Sequence, residues 1–412
     1  MNGKVKIIAA TALGNALEYY DVIIYSTFAL IIAQEFFPFR DADAALLIAF
    51  ATFGVSFFCR PLGGLILGSL GDRRGRKTAL LLTMSLMLLG TLIIAVTPSY
   101  AAIGVSASVL VVIGRLVQGF SAGGEFASAT AFLAEQSKNR RGFYSSWQFA
   151  SQGCSILMAA TVGFLITTLL SADQVRHWGW RLSFVFGLAI GPVLLYLRAG
   201  FVETAEFRGE IRQEHPLREA LGQQKTNIVI ALGVVILATV GVYVTLYMPT
   251  YAVRQLHMTP RAGFGASALA GSTLFLLTPL SGMLVDRHGR LAVAIPFAIA
   301  LVLAPIPLYA WLSRTPSLVA MCATQGVISV LLAGYLGAVS ALLSDLFPVT
   351  TRTTGISLGY NLGVMLFGGF APFIMTWLAV KTASAAVPGY YLAAGAVGSV
   401  LALATAWRRG FR

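Results

Sequence analysis

The chain has 412 residues, of which 57% are hydrophobic and only 11% are charged, with a net charge of +13. Soluble domains contain about 25% charged residues, so this composition and a mean hydropathy of +0.79 exclude an ordinary soluble protein. The three cysteines are far apart and show no paired spacing, which argues against a disulfide framework or a zinc site.

Apolar runs that are long enough to cross a bilayer follow one another along the whole chain. A helix needs about 20 apolar residues to cross a hydrocarbon core of about 30 Å. The runs are unbroken and rich in Leu and Ala, so we predict an all-α membrane protein with twelve transmembrane helices. The predicted spans are 7–34, 45–70, 78–97, 103–134, 143–170, 181–199, 227–253, 262–285, 291–312, 317–345, 353–379 and 388–407.

Lysine and arginine are distributed unequally between the two sets of loops. Most of the 29 lie at the termini and in the loops 71–77, 136–142, 198–225, 286–290 and 346–352. The opposite loops contain Arg40, Arg176, Arg254, Arg261, Arg314 and Lys381. Cytoplasmic loops are enriched in Lys and Arg, so we predict that both termini are cytoplasmic. The same tendency explains the net charge without a nucleic-acid partner.

A polar connector, "RAGFVETAEFRGEIRQEHPLREALGQQK", divides the predicted spans six and six. It is compatible with a short amphipathic helix at the membrane surface or with a solvated linker. We predict an N-terminal six-helix bundle over 1–199, a linker over 200–225 and a C-terminal six-helix bundle over 226–412. Two repeated halves around a site at the bilayer midplane are typical of secondary transporters.

Two pairs of loop segments repeat between the halves. "GSLGDRRGRK" follows the second run and "GMLVDRHGR" follows the eighth, while "LAEQSKNRRG" after run four is echoed by "LSDLFPVTTRTTG" after run ten. In the first pair the glycine allows close helix approach, and the aspartate can face the positive N-terminus of a helix. The letters "GRKT" end like a phosphate-binding loop, but the glycine spacing is wrong and no strand precedes them, so that interpretation is rejected.

The duplicated G-x-L-x-D-R-x-G-R pattern resembles the signature loop of the major facilitator superfamily. In that superfamily the loop is a cytoplasmic latch between the two halves of the carrier. The resemblance therefore implies a latch role for Gly68, Asp72, Arg73, Gly75, Arg76, Asp286, Arg287 and Arg290.

Further stretches resemble the metabolite:proton symporters within that superfamily: "GNALEYYDVIIYS", "FFCRPLGG", "IGRLVQGFSAGGE", "RRGFYSSWQ" and "HWGWRLSF". "SLGYNLGVMLFGGFAPF" and "AVPGYY" look most like the citrate and tricarballylate carriers. The resemblance implies a proton-coupled symporter that imports a di- or tricarboxylate across a bacterial inner membrane. Its coupling ion is the proton, no other cofactor is expected, and a monomer is usual in the superfamily.

Other interpretations remain open at this point. The substrate could be 2-oxoglutarate, shikimate, an aromatic acid or a zwitterionic osmolyte, all of which related symporters carry. A membrane receptor that binds a metabolite without moving it belongs to a different class of function. The sequence contains no nucleophile–base pair and no metal-ligand cluster, so we do not expect an enzyme.

Ionisable residues inside the predicted spans are the main candidates for the site, because a charge at membrane depth is costly and usually faces a cavity or a partner. Two interpretations compete for them. In the first, Arg60 and Arg115 bind substrate carboxylates, while the co-transported proton binds Glu18, Asp21 or Glu125. Desolvation favours a neutral carboxyl group, and a nearby arginine favours the ionised form. In the second, Asp21–Arg60 and Arg115–Glu125 are fixed ion pairs that specify packing.

Neutral polar residues would complete the site, because the later spans contain no deep charge. Tyrosine, asparagine and glutamine can hydrogen-bond substrate oxygens without a fixed charge. The alternative for the tyrosines is packing or a place in the interfacial belt. The candidates are Gln118, Gln148, Gln152, Tyr243, Tyr247, Tyr360 and Asn361. In span two, Pro61 follows Arg60 and can break the helix locally.

Overall fold

The computed structural model describes residues 3–37, 42–137, 139–200 and 216–411, and these ranges contain helices and no β-strand. Long apolar segments favour helices in lipid, because a helix satisfies its backbone hydrogen bonds internally. The helices that precede the connector are α1 Gly3–Thr27, α2 Ala29–Phe36, α3 Ala42–Arg74, α4 Arg76–Val96, α5 Tyr100–Ile103, α6 Val105–Ala134, α7 Arg141–Leu169, α8 Ala172–Gln174 and α9 Trp180–Ala199, with a π-helical turn at Val175–Gly179.

The later helices begin inside the connector. They are α10 Pro216–Gln223, α11 Lys225–Arg254, α12 Pro260–His288, α13 Arg290–Leu303, α14 Pro305–Arg314, α15 Leu318–Asp345, α16 Arg352–Phe367, α17 Ala371–Thr382 and α18 Val387–Arg408, with a 3₁₀ turn at Val349–Thr351. The predicted span 291–312 is thus divided before Pro305, and the predicted span 353–379 is divided after Phe367.

Within the described ranges, eleven helical segments are long and apolar enough to cross a membrane. They correspond to the second through twelfth predicted spans. Helix α1 is not among these segments. The total of twelve spans therefore stays a prediction.

The predicted loop at 71–77 is mostly helical, which corrects its boundaries. Helix α3 ends at Arg74 and α4 begins at Arg76, so only Gly75 lies between them. Gly75 has φ 109° and ψ 152°, a conformation that is accessible almost only to glycine. Gly289 takes the same role between α12 and α13, with φ 94° and ψ 160°. The helix α3 is also continuous through Pro61, where the sequence allowed a local break.

The described part of the connector packs onto the helices. Helix α10 contacts α3 and α16, and the side chains of Gln224 and Thr351 exchange hydrogen bonds of 2.9 and 3.2 Å. The remainder of the connector, 201–215, lies outside the described residues, as does Arg40 from the predicted opposite-side charges.

Helices from before and after the connector approach one another closely. Helix α7 packs along α12, and α3 packs along both α6 and α16. A Cβ atom on Gly153 would lie 2.6 Å from the backbone nitrogen of Phe275, and one on Gly271 would lie 2.6 Å from that of Leu157. Small residues therefore set the spacing of α7 and α12. The predicted division into bundles at 1–199 and 226–412 stays a prediction.

Candidate functional site

The polar stripe of α1 lies entirely inside the protein. Asn15, Glu18, Asp21 and Tyr25 are each no more than 5% exposed, and α1 packs against α6, α7 and α9. The polar residues of α1 therefore face different helices. The contacts of each residue determine whether it can bind a ligand or a proton.

Asn15 connects α1 to α7. Its amide nitrogen donates to the Gln148 backbone carbonyl at 3.1 Å and to the Ser151 hydroxyl at 2.6 Å. The Gln148 side-chain amide donates in turn to the Asn15 oxygen at 2.8 Å. The structure thus places Gln148, a predicted substrate contact, in the contact between these two helices.

Asp21 is linked to Arg115 through a chain of hydrogen bonds. The Thr91 hydroxyl donates to Asp21 Oδ2 at 2.6 Å, and the Gln118 amide donates to the Thr91 oxygen at 2.9 Å. Arg115 Nη1 donates to the Gln118 carbonyl oxygen at 2.7 Å, and its Nη2 donates to Ser56 at 3.1 Å. Asp21 Oδ1 is buried and has no hydrogen-bond partner within the described residues. Gln118 is therefore the bridge between an acid and a guanidinium group.

The two fixed ion pairs considered from the sequence are not formed within the described part of the chain. Asp21 does not pair with Arg60, and Glu125 pairs with Arg198 instead of Arg115, at 2.5 Å. Residue spacing places Arg115 and Glu125 on one helix face. However, their distance along that face is long, and α9 brings a nearer cation to Glu125.

Arg198 was not found by reasoning from the sequence. It follows an apolar run, and its position suggested the first residue of the polar connector. In the structure it is 0% exposed in the last turn of α9. Besides the Glu125 ion pair, its Nη1 donates to the Leu80 carbonyl at 3.1 Å. Glu125 also accepts a hydrogen bond from the Thr83 hydroxyl.

Arg60 is a buried cation with no anionic partner among the described residues. Its guanidinium group lies 4.2 Å from the centre of the Phe57 ring, and the residue is 2% exposed. The groups within electrostatic range are Tyr19, Tyr243, Tyr360 and Glu18. Among the residues that the structure describes, no carboxylate forms a salt bridge with it, and its Nε has no hydrogen-bond acceptor.

Arg115 is the second buried cation of this kind. It is 1% exposed and lies 4.5 Å from the centre of the Tyr25 ring and 5.1 Å from that of Phe53. No described carboxylate forms a salt bridge with it either. Tyr243 packs edge-on against Phe53 and is within electrostatic range of both Arg60 and Arg115. The two guanidinium groups therefore share Tyr243 as a neighbour.

Helices α11 and α16 supply the neutral side of this cluster. The Tyr360 and Tyr19 hydroxyl groups hydrogen-bond to each other. The Asn361 amide donates to the Gly123 carbonyl at 2.7 Å, and its Oδ1 is buried without a described partner. Tyr243, Tyr360 and Asn361 thus contact α1, α3 and α6 across the interface between the predicted halves.

The two remaining predicted substrate contacts, Gln152 and Tyr247, lie in different parts of the structure. Gln152 lies beside Tyr360, and its Nε2 is buried with no acceptor among the described residues. The Tyr247 hydroxyl accepts a 3.0 Å hydrogen bond from Thr376 and its ring packs near Tyr251. The structure therefore joins Gln152 to the arginine–tyrosine cluster, while Tyr247 lies in the contact of α11 with α17.

The first latch segment caps a helix from the other predicted half. Asp72 accepts from the Thr353 nitrogen at 3.3 Å, the Thr354 nitrogen at 2.8 Å and the Thr354 hydroxyl at 2.6 Å. The positive N-terminus of α16 thus meets a carboxylate. One turn earlier, a Cβ on Gly68 would lie 2.8 Å from the Ser357 hydroxyl, so this glycine permits the approach.

Ion pairs extend this contact. Arg76 pairs with Asp72 at 2.5 Å and with Glu135 at 3.3 Å, and it donates to the Val349 carbonyl at 3.0 Å. Arg352 also pairs with Glu135, at 2.9 Å. Both Glu135 and Arg352 belong to the second pair of echoed segments, which is the sequence signal that could have identified them.

The second latch segment repeats the arrangement. Asp286 accepts from the Gly142 nitrogen at 2.7 Å and the Phe143 nitrogen at 3.0 Å, at the start of α7. Asp345 pairs with Arg141 at 2.7 Å and with Arg290. Each aspartate thus caps a helix from the other side of the connector. Two predicted members, Arg73 and Arg287, are exposed.

Comparisons with known proteins identify the family. The family model for the Major Facilitator Superfamily matches residues 11–278, and the model for Sugar (and other) transporter matches residues 201–407. The chain is 35% identical to the citrate-proton symporter of Klebsiella pneumoniae, over 96% of this chain and 90% of that protein. This chain belongs to the major facilitator superfamily.

Another relative, the proline/betaine transporter of Salmonella typhimurium, is 33% identical over 94% of this chain and 80% of its own length. The fold matches that of the proton:xylose symporter XylE bound to 6-bromo-6-deoxy-D-glucose, with a TM-score of 0.82 and 18% identity, over 98% of this chain and 95% of that one. The chain is accordingly a multi-pass membrane transporter and not an enzyme, and these predictions are confirmed.

Proposed function

We propose that this transporter is a proton-coupled symporter that imports a di- or tricarboxylate, with citrate or tricarballylate favoured, by alternating access. The observation that carries the proposal is the pair of buried arginines around Tyr243, neither of which forms a salt bridge with a described carboxylate. The name of the relative from Klebsiella pneumoniae supports a tricarboxylate.

Two unpaired guanidinium groups need an anion. Removing one ion from water costs several kcal/mol even after relaxation, and a carboxylate offers each guanidinium group two parallel hydrogen bonds. Two arginines that share one neighbour suit a molecule with two carboxylates. Binding of the substrate therefore offsets part of the free-energy cost of burying the two guanidinium groups. A monocarboxylate would leave one of the two arginines without an anion.

The neutral groups complete the recognition of this anion. Gln152 on α7 lies beside Tyr360 on α16, and the amide nitrogen of Gln152 has no acceptor among the described residues. Asn361 carries an unpartnered oxygen, which suits a hydroxyl or a protonated carboxyl group. Because these residues come from both sides of the connector, bound substrate would hold the two sides together.

Asp21 is the favoured site for a coupled proton. Its Oδ1 is unpartnered, and the Thr91–Gln118 chain links it to Arg115. A substrate carboxylate at Arg115 reduces the positive charge at the far end of the chain. Protonation of Asp21 then becomes more favourable, and by linkage each ligand promotes the binding of the other.

Alternating access requires the two latches to open together. In this proposal, the contacts of Asp72 with α16 and of Asp286 with α7 are the ones that break. We assign this end to the cytoplasm because the loops beside it carry most of the Lys and Arg. The full proposal has twelve spans that include α1, cytoplasmic termini, halves at 1–199 and 226–412, a bacterial inner membrane and a monomer.

A zwitterionic osmolyte is the second candidate, because proline/betaine transporters are among the relatives. A quaternary ammonium group favours aromatic faces, and Tyr25, Phe53 and Phe57 are close by. Guanidinium groups already lie over those three rings. A single carboxylate would also leave one arginine unpaired, so this substrate fits less well.

Transport by purified protein in liposomes tests the proposal. With an acidic exterior, we expect accumulation of labelled citrate or tricarballylate, no accumulation of betaine, and loss of accumulation with an uncoupler. Arg115→Ala should abolish accumulation, whereas Arg314→Ala, an exposed arginine at the end of α14, should not. Accumulation that persists with the uncoupler would refute symport, and betaine uptake alone would favour the second candidate. Binding of citrate without any uptake would indicate a receptor.

A further inference from the structure

Glu18 is a buried carboxyl group that forms no hydrogen bond or salt bridge with the described residues. It is 5% exposed. It borders a small cavity of about 10 Å³, whose polar lining consists of Glu18, Glu125 and Arg198. A cavity of that size holds about one water molecule, which is enough to carry a proton to the carboxyl group.

In this pocket, Arg198 is already paired with the neighbouring carboxylate, Glu125. Glu125 pairs with Arg198 at 2.5 Å and accepts the Thr83 hydroxyl. Arg198 is already compensated by Glu125, so it stabilises a second carboxylate less than a free cation would. Two carboxyl groups and one paired arginine in a buried pocket disfavour ionisation of the second acid, because like charges repel at low dielectric.

The groups around Glu18 can be assigned to each packed helix. The charged groups that act on it are Glu125 from α6, Arg198 from α9, Arg60 from α3 and Asp21 from α1. Helix α4 contributes Met84 and Met87 to the cavity, and α7 faces α1 with neutral side chains such as Ser155. Arg60, which we assign to the substrate, is thus the one nearby cation that is not already paired with a described carboxylate.

We propose that Glu18, with Glu125 and Arg198, forms a second proton-binding site that is coupled to the substrate through Arg60. The inference rests on the proposed symport and extends it. Each arginine of the substrate site has its own acid, Asp21 for Arg115 and Glu18 for Arg60, so two protons accompany each substrate molecule.

Proton binding at Glu18 and substrate binding are coupled because both depend on the positive charge of Arg60. In the empty site, Arg60 stabilises the ionised form of Glu18. A substrate carboxylate on Arg60 removes this stabilisation, and Glu18 then faces mainly the negative charge of Glu125. Proton binding at Glu18 and anion binding at Arg60 therefore favour each other, and this linkage is reciprocal.

The proton-to-substrate ratio in liposomes tests the proposal. At zero membrane potential and a pH gradient of one unit, two protons support about 100-fold accumulation of the transported ion, and one proton supports about tenfold. We expect about 100-fold for the wild type and for the exposed control Asp173→Asn, and about tenfold for Glu18→Gln. About tenfold accumulation in the wild type, which corresponds to one proton per substrate, would overturn the proposal. The same accumulation in Glu18→Gln as in the wild type would also overturn it.

A spectroscopic measurement covers the case in which Glu18→Gln does not fold. With citrate added, we expect an infrared band of a neutral, buried carboxylic acid in the wild type, which shifts in Glu18→Asp and remains unchanged in Asp173→Asn. A wild type without such a band, or a band that does not move in Glu18→Asp, would overturn the second site. This measurement needs no transport, so it separates failure of the second proton site from failure of the proposed symport.

Discussion

The two latches and the cluster around Arg60, Arg115 and Tyr243 both contain buried arginines. The latch arginines are paired with carboxylates, and those of the cluster are not paired with a described one. At the latches, Arg76 and Arg352 have carboxylate partners at 2.5 to 3.3 Å. In the centre, Arg60 and Arg115 have aromatic rings and hydroxyl groups around them and no described carboxylate in contact. Paired charges fix one arrangement of helices, whereas unpaired buried charges favour a ligand that supplies the missing anion.

The largest expected effect would come from breaking a latch pair. Arg76→Ala leaves Asp72 and Glu135 without this partner in a buried place, so the free energy of unfolding should fall by about 3–5 kcal/mol. Unfolding of the purified protein measures the change. Arg73→Ala, which removes an exposed arginine from the same loop, is the matched control and should have little effect. Equal losses in both variants would contradict the distinction between the two regions.

Removal of a central arginine should instead affect binding. Arg60→Ala should weaken binding of citrate by about 2–5 kcal/mol, or about 30-fold or more, because a charge-assisted pair with the substrate is lost. The free energy of unfolding should fall much less than in Arg76→Ala, since the Arg60 guanidinium group forms no salt bridge with a described carboxylate. Calorimetric titration and unfolding of the same samples measure both, with Arg314→Ala as control. A loss of stability as large as that of Arg76→Ala would show that Arg60 is structural.

Neutralisation of Asp21 should separate coupling from binding. In Asp21→Asn, accumulation driven by a pH gradient should fall by about tenfold per unit of gradient, because one proton is no longer carried. Exchange of labelled for unlabelled substrate needs no net proton movement and should continue. Asp173→Asn should leave both rates unchanged. Equal losses of accumulation and exchange in Asp21→Asn would assign a packing role to this residue.

The smallest expected effect concerns the turn that positions the first latch. Gly75→Ala should cost about 1–3 kcal/mol in unfolding, because a Cβ atom is strained at φ 109° and ψ 152°. Gly265→Ala is the matched control, since its position in α12 has open space around it. If Gly75→Ala and Gly265→Ala have the same free energy of unfolding, the turn relaxes without strain.

Much of this architecture was accessible from the sequence. The apolar runs predicted the helices, and the duplicated motif singled out Asp72 and Asp286 at matching positions. The structure adds that these aspartates cap α16 and α7. Predicted loop boundaries were less accurate, because α3 and α12 continue into the latch segments until Gly75 and Gly289 end them.

The candidate site was only partly accessible. Asp21, Arg60 and Arg115 lie inside predicted spans and are buried in the structure, but the sequence could not assign their partners. Arg198 at the end of an apolar run resembled a connector residue, although it forms the ion pair of Glu125. Partner choice depends on which turns of two helices lie at the same depth, and residue spacing within one helix does not contain that information.

By itself, the sequence determined that this protein is a helical membrane transporter with a repeated loop motif, because hydropathy and motif spacing are local properties. Only the tertiary structure decided which buried charges of the described residues pair with a carboxylate and which do not. The physical reason is that charge compensation acts over a few ångströms between helices that are distant in sequence. The contacts Glu125–Arg198 and Tyr19–Tyr360 exist only once those helices have packed together.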